Sequence, residues 1–140
     1  MWPEKDFLEE CFALHELGFK PKIEVGSRVA RGFADLGSEV FLLLSANETL
    51  SLFTGEKRTI PERELSRLCW VPTVDELVEQ LHSMYFTVSN ISTRDQRTWE
   101  ISLTVEKTGT PLTFQASSIE LALIKALRNC FEQTLSVCSN

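Results

Sequence analysis

LCWVPTVDELVEQL, residues 68–81, divides the chain and sets how each half is read. Thr73 and Glu76 stand in the S/T-x-x-E relation of a capping box. In that motif the threonine oxygen takes the N–H three residues on, and the glutamate reaches back to the threonine N–H. Val74, Leu77, Val78 and Leu81 follow at helical spacing, which predicts a helix from Thr73 to about Met84. Pro72 biases Val71 toward an extended conformation, and Val71 is placed to pack on the first turn as a staple does. Trp70 could stack on a ligand or close a core. The local grammar is complete without a ligand, and the large apolar area of an indole favours burial. Trp70 is therefore expected against Phe41 or Leu43, filling the seam between the two halves.

Beyond Met84 the period changes from helical to alternating. YFTVSNIS (85–92) reads as a strand and RDQ as part of a polar loop. In TWEISLTVE (98–106), Trp99, Ile101, Leu103 and Val105 fall on one side and Glu100, Ser102 and Thr104 on the other, the mark of an antiparallel strand with one wet face. KTGT is a tight turn, and PLTFQA returns with Leu112, Phe114 and Ala116 on one face. Ser117 and Glu120 predict a second capping box ahead of a helix from about Ile119 to Leu135, carrying Leu121, Leu123, Ile124, Leu127, Phe131 and Leu135. From Thr73 onward the order is α-β-β-β-α: a three-stranded antiparallel sheet with both helices on one face.

Upstream the signals are shorter. Pro3 suits a first helical turn, and Glu4, Asp6, Glu9 and Glu10 suit the positive end of a helix. Phe7, Leu8, Cys11, Phe12, Leu14 and Leu17 form an apolar stripe that Gly18 closes. Ile23–Val25 and Arg28–Ala30 read as short strands. EVFLLL and TLSLFT flank the polar SANE, predicting a hairpin from about Glu39 to Thr54 whose first strand is covered on both faces. TGEKRT reads as a further turn, and Pro61 opens a helical turn over ERELSRL. The expected fold is α+β: an N-terminal helix plus β-hairpin subdomain, residues 1–70, packed on an α-β-β-β-α subdomain, residues 71–140.

Composition narrows the function. The 140 residues are 43% hydrophobic and 24% charged, enough for a core without a disulfide or metal staple. Net charge is −6, drawn evenly from 9 Lys/Arg against 12 Asp/Glu in residues 1–70 and 5 against 8 in residues 71–140. An acidic chain is a poor general binder of phosphate backbones. Cys11, Cys69, Cys130 and Cys138 form no CxxC pair, and with only His15 and His82 beside them they predict reduced thiols, not a zinc site. No apolar run nears the ~20 residues of a membrane span, and the acidic opening lacks a signal peptide's order; a cytoplasmic protein is expected. No cofactor motif is present: GFADLG fits neither GxGxxG nor a P-loop. His15 and His82 sit late in helices, and the carboxylates cluster where helix dipoles favour them, so no catalytic constellation is read.

Lys20, Lys22, Arg28 and Arg31, interleaved with Phe19 and Phe33, and then Lys57, Arg58, Arg63 and Arg67, are the candidate patch for an acidic partner or nucleic acid. An ordinary solvated surface is the alternative reading. The α-β-β-β-α order resembles double-stranded-RNA-binding domains. Those place lysines at the start of the last helix, where this chain has Ser117, Ser118 and Glu120, so RNA binding is not implied. Residues 99–131, a W-E-I-S strand followed by an S-x-x-E-capped helix, resemble HicB-type antitoxin modules that bind partner proteins. More broadly, Leu17-Gly18, Leu68 to Leu77, Trp99, Gly109 and Leu121 to Leu127 resemble short proteins of phages and prophage-bearing Firmicutes that carry no assigned activity. The expectation is a non-enzymatic accessory module that binds a protein partner, with nucleic acid as the alternative.

Overall fold

The computed structural model describes residues 4–31, 39–45, 47–61 and 67–138. It is α+β, and the chain divides into two compact units, Met1–Pro72 and Thr73–Asn140.

The first unit opens with α1 (Lys5–Glu16), whose buried stripe is Phe7, Cys11 and Leu14. Gly18, at φ +89°, takes the left-handed conformation that ends a helix cleanly. The expected strand Ile23–Val25 is instead a turn. Ser27 Oγ accepts the Glu24 N–H (3.0 Å) while the Ser27 N–H donates to the Glu24 carbonyl (2.9 Å). Groups tied off locally in this way are lost to a strand ladder. Strands β1 (Arg28–Arg31), β2 (Glu39–Leu43), β3 (Glu48–Ser51), β4 (Lys57–Thr59) and β5 (Cys69–Trp70) then form one antiparallel sheet in the order β4-β3-β2-β1-β5.

The hairpin β2–β3 is thus the centre of a larger sheet. Two of its strands lie where the sequence suggested none. TGEKRT was expected to be all turn, but Ser51 Oγ accepts the N–H groups of Phe53 and Thr54, both at 3.2 Å. The reversal is finished early, and the chain is extended again by Lys57. Cys69 and Trp70 pair with Ala30 and Val29, a long-range match that local pattern does not announce. Val29, Phe41, Ile60 and Leu68 form a buried cluster in this unit, while Ala30, Val40 and Cys69 are buried on the opposite face of the sheet. The turn expected over ERELSRL, and Trp2 and Pro3, lie largely or wholly outside the described residues.

The second unit follows its expected order. The α2 helix (Val74–Ser83) starts with the capping box complete: Thr73 Oγ1 accepts the Glu76 N–H at 3.2 Å, and Glu76 Oε1 accepts the Thr73 N–H at 3.1 Å. Leu77 and Leu81 are fully buried; Val74 and Val78 are half-buried. Strands β6 (Phe86–Thr93), β7 (Trp99–Val105) and β8 (Pro111–Ala116) form an antiparallel sheet in chain order. Ile101 and Leu103 are fully buried, and Trp99, at the end of β7, is half-buried. Glu100, Ser102 and Thr104 share the opposite face. They are half-buried because β7 is the central strand with a neighbour on each side.

The α3 helix (Ile119–Cys138) packs on β7, β8 and α2, and α2 packs on β6, so both helices cover one face. Its cap is one residue later than Ser117. Ser118 Oγ accepts the Leu121 N–H at 3.1 Å, and the first helical bond runs from the Ala122 N–H to the Ser118 carbonyl. Two adjacent serines offer the same chemistry, and the register that buries Leu121, Leu123, Ile124 and Leu127 selects the second.

Candidate functional site: an aromatic groove in the first unit

A concave site of about 300 Å³ opens beside α1, lined by His15, Gly18, Phe19, Lys20, Pro21, Ile23, Leu68 and Trp70. Two local rules and one long-range pairing set its position. Gly18 stops α1 and turns the chain outward. Pro21 biases Lys20 toward an extended conformation. Pairing of β5 with β1 then brings Trp70 to the edge of the sheet beside that segment. The rings of Phe19 and Trp70 stack with centroids 5.8 Å apart and planes inclined by 27°. Both are largely buried, at 8% and 7% exposure, so they make the floor of the groove and not its rim. Ile23 is 36% exposed and Val25 67%, which extends the apolar surface outward.

Trp70 is therefore buried, and its ring stacks on Phe19. Phe41 pairs with Val29, which pairs with Trp70, so Phe41 shares that face of the sheet two strands away. Phe19 was singled out in the sequence only as an aromatic among basic residues, and Ile23 as part of a strand. No local signal joined either of them to Trp70.

The lining holds one lysine and one histidine and no carboxylate. Directly beneath, Cys11 lines a void of only about 10 Å³ with Leu14, His15, Phe19, Pro21 and Trp70. Burial first, and the neighbouring Cys69 second, push the Cys11 thiol far above its ordinary value. Burial likewise pushes Cys69 up to about 12 and Cys130 up to about 11. Such thiols stay protonated at neutral pH and are poor nucleophiles. Cys11, Cys69 and Cys130 are free and buried; the Cys138 side chain lies outside the described residues. Among the described residues no three His, Cys, Asp or Glu side chains gather to hold a metal ion, and no helix is long and apolar enough to cross a membrane. The groove thus combines an apolar floor with one lysine and one histidine in its lining.

The basic residues take several environments. Lys20 lines the groove. Lys22 lies 3.9 Å from Glu24 and Arg58 3.4 Å from Glu56, both as exposed pairs. Arg28 donates from Nη2 to the Pro72 carbonyl at 2.8 Å, a structural tie between β1 and the end of the unit. Lys57 and Arg67 are exposed. The Arg31 side chain and all of Arg63 lie outside the described residues. Arg28 and Lys57 share one cross-strand row through Leu42 and Leu50, about 14 Å apart at the usual strand spacing. Arg58, next to Lys57 on β4, points to the other face of the sheet. Comparison with protein-family models, curated proteins and solved structures found no match for this chain.

Proposed function

We propose that the chain is a non-enzymatic protein-binding module, whose first unit captures an apolar side chain of an acidic partner segment in the Phe19–Trp70 groove. One observation carries the reading: an apolar concavity floored by two stacked rings, with Lys20 and His15 in its lining and no carboxylate. A groove of this kind holds a side chain by excluding water from its apolar surface, while the adjacent cation favours a neighbouring Asp or Glu on the partner. Aromatic floors are also where interface energy concentrates. A phage or prophage setting rests on the sequence resemblance.

Selection from a random peptide library on the full chain tests the reading. The expected winners carry an aromatic or branched aliphatic residue beside Asp or Glu. Ile23→Asp and Lys20→Glu, both at exposed positions, should each abolish their capture without changing the fold. Winners lacking that pattern, or captured equally by both variants, would overturn the assignment. Salt-sensitive retention on DNA or RNA in place of peptide capture would favour a nucleic-acid module using the basic residues.

A further inference from the structure

Among the described residues, four strands have a neighbour on one side only: β4 and β5 in the first unit, β6 and β8 in the second. An open edge presents unpaired N–H and C=O groups to any other strand, and natural chains blunt it with shortness, charge, proline or a bulge. Three of the four edges are blunted by shortness, charge or proline. The β4 strand is three residues long and carries Lys57 and Arg58. The β5 strand has two residues, with Pro72 close behind. The β8 strand begins with Pro111. The exception is β6, FTVSNIST: at eight residues the longest strand among the described residues, without a charge or a proline, and interrupted only by a bulge.

We propose that β6 is a self-association edge, pairing antiparallel with β6 of a second copy about a two-fold axis between Ser89 and Asn90. The bulge in β6 argues for this register and occupant. Val88 pairs with Leu103 and Asn90 with Ser102, which leaves Ser89 as the extra residue. Phe86, Val88, Ile91 and Thr93 therefore face the helices, while Thr87, Asn90 and Ser92 face the open side. Around the proposed axis, Phe86 meets Thr93 of the second copy, Val88 meets Ile91, Thr87 meets Ser92 and Ser89 meets Asn90. Apart from the Ser89–Asn90 pair at the axis, every residue of β6 meets one of its own face, an outcome that this centre yields only because the bulge shifts the alternation.

The match has a specific result. Ile91, 39% exposed although it sits in the helix-side row with Ile101 and Phe114, gains Val88 beside it. No like charges meet along the seam. A two-fold axis perpendicular to the sheet keeps the helices of both copies on one side, so two three-stranded sheets become one of six.

Sedimentation equilibrium on the full chain over a wide concentration range tests the proposal. The wild type should pass from monomer to dimer, and amide exchange within residues 86–93 should slow as the dimer fills. Asn90→Lys, which sets two ammonium groups beside the axis, and Ser92→Lys, at a second exposed position, should each lose the dimer while keeping the wild-type circular dichroism. A wild type that stays monomeric at every concentration would overturn the proposal. So would a dimer that both lysine variants leave intact, or one in which exchange at residues 86–93 is unchanged.

Discussion

The two units solve the covering of a sheet in opposite ways. Among the described residues of the first, one helix of twelve residues accompanies five short strands, and apolar residues are buried on both faces of the sheet: Val29 and Phe41 on one, Ala30, Val40 and Cys69 on the other. In the second, two helices cover one face of three longer strands, and the other face stays polar, with Glu100 accepting from Gln115 Nε2 at 2.8 Å. The first unit depends on a few large side chains placed by long-range pairing. The second depends on a repeated pattern that places its buried residues on one face. Loss of one group should therefore be felt differently in the two.

The sharpest way to break the contrast is Trp70→Ala. Removing an indole that is 7% exposed and stacked on Phe19 should cost about 3–5 kcal/mol, because the site cannot collapse onto the void. In a urea melt this loss should fall on the first unit, and amide exchange should quicken in residues 4–72 before it does in 73–138. An unchanged midpoint would mean that the ring contributes no core. The matched change in the second unit is Leu103→Ala, at a fully buried position, with an expected loss of about 2–5 kcal/mol. It should quicken exchange across β6, β7 and β8 together.

Alkaline pH separates the units more gently. From about pH 9.0 upward an unfolded chain sheds thiol protons that the folded chain keeps. The contribution is full below that value and is lost as pH rises toward about 12 for Cys69 and about 11 for Cys130. Cys11 is raised further, so the first unit, with two such thiols, should lose more stability than the second, with one. Melts of Cys11→Ala and Cys69→Ala at rising pH should show a flatter decline than the parent. If their slopes coincide with it, the thiols are not linked to folding.

The smallest effects concern caps. Thr73→Ala and Ser118→Ala should each cost about 1 kcal/mol, the usual loss on removing an N-cap oxygen. Ser117→Ala should cost less than Ser118→Ala. A reversed order in urea melts would move the start of α3 back by one residue.

Those caps also show what could be read without coordinates. Thr73 and Glu76 act within four residues, and the alternation from Trp99 to Val105 records a one-sided sheet. The second unit was legible because its rules are local. The cap of α3 was missed by one position, since Ser117 and Ser118 differ only in which helical face they bury. In the first unit the decisive facts are pairings: Trp70 with Val29, and Phe19 with Trp70, 51 residues apart in the chain. No periodicity encodes those. The short strands β4 and β5 exist because neighbours present open edges, and their own residues carry little strand signal. The groove inherits that illegibility. Trp70 stood out by type, but its partners His15, Phe19 and Ile23 come together only through the fold.

Three buried thiols also give the molecule internal clocks. Cys11 and Cys69 lie in the first unit and Cys130 in the second, each sealed and protonated while its surroundings are closed. An alkylating reagent can reach them only during an opening event, so the rate at which each is modified counts the openings of its own neighbourhood. Mass spectrometry after timed exposure would rank the two units by how often each breathes, with no label introduced. The same inertness means that oxidants spare these sulfurs until the fold has already loosened.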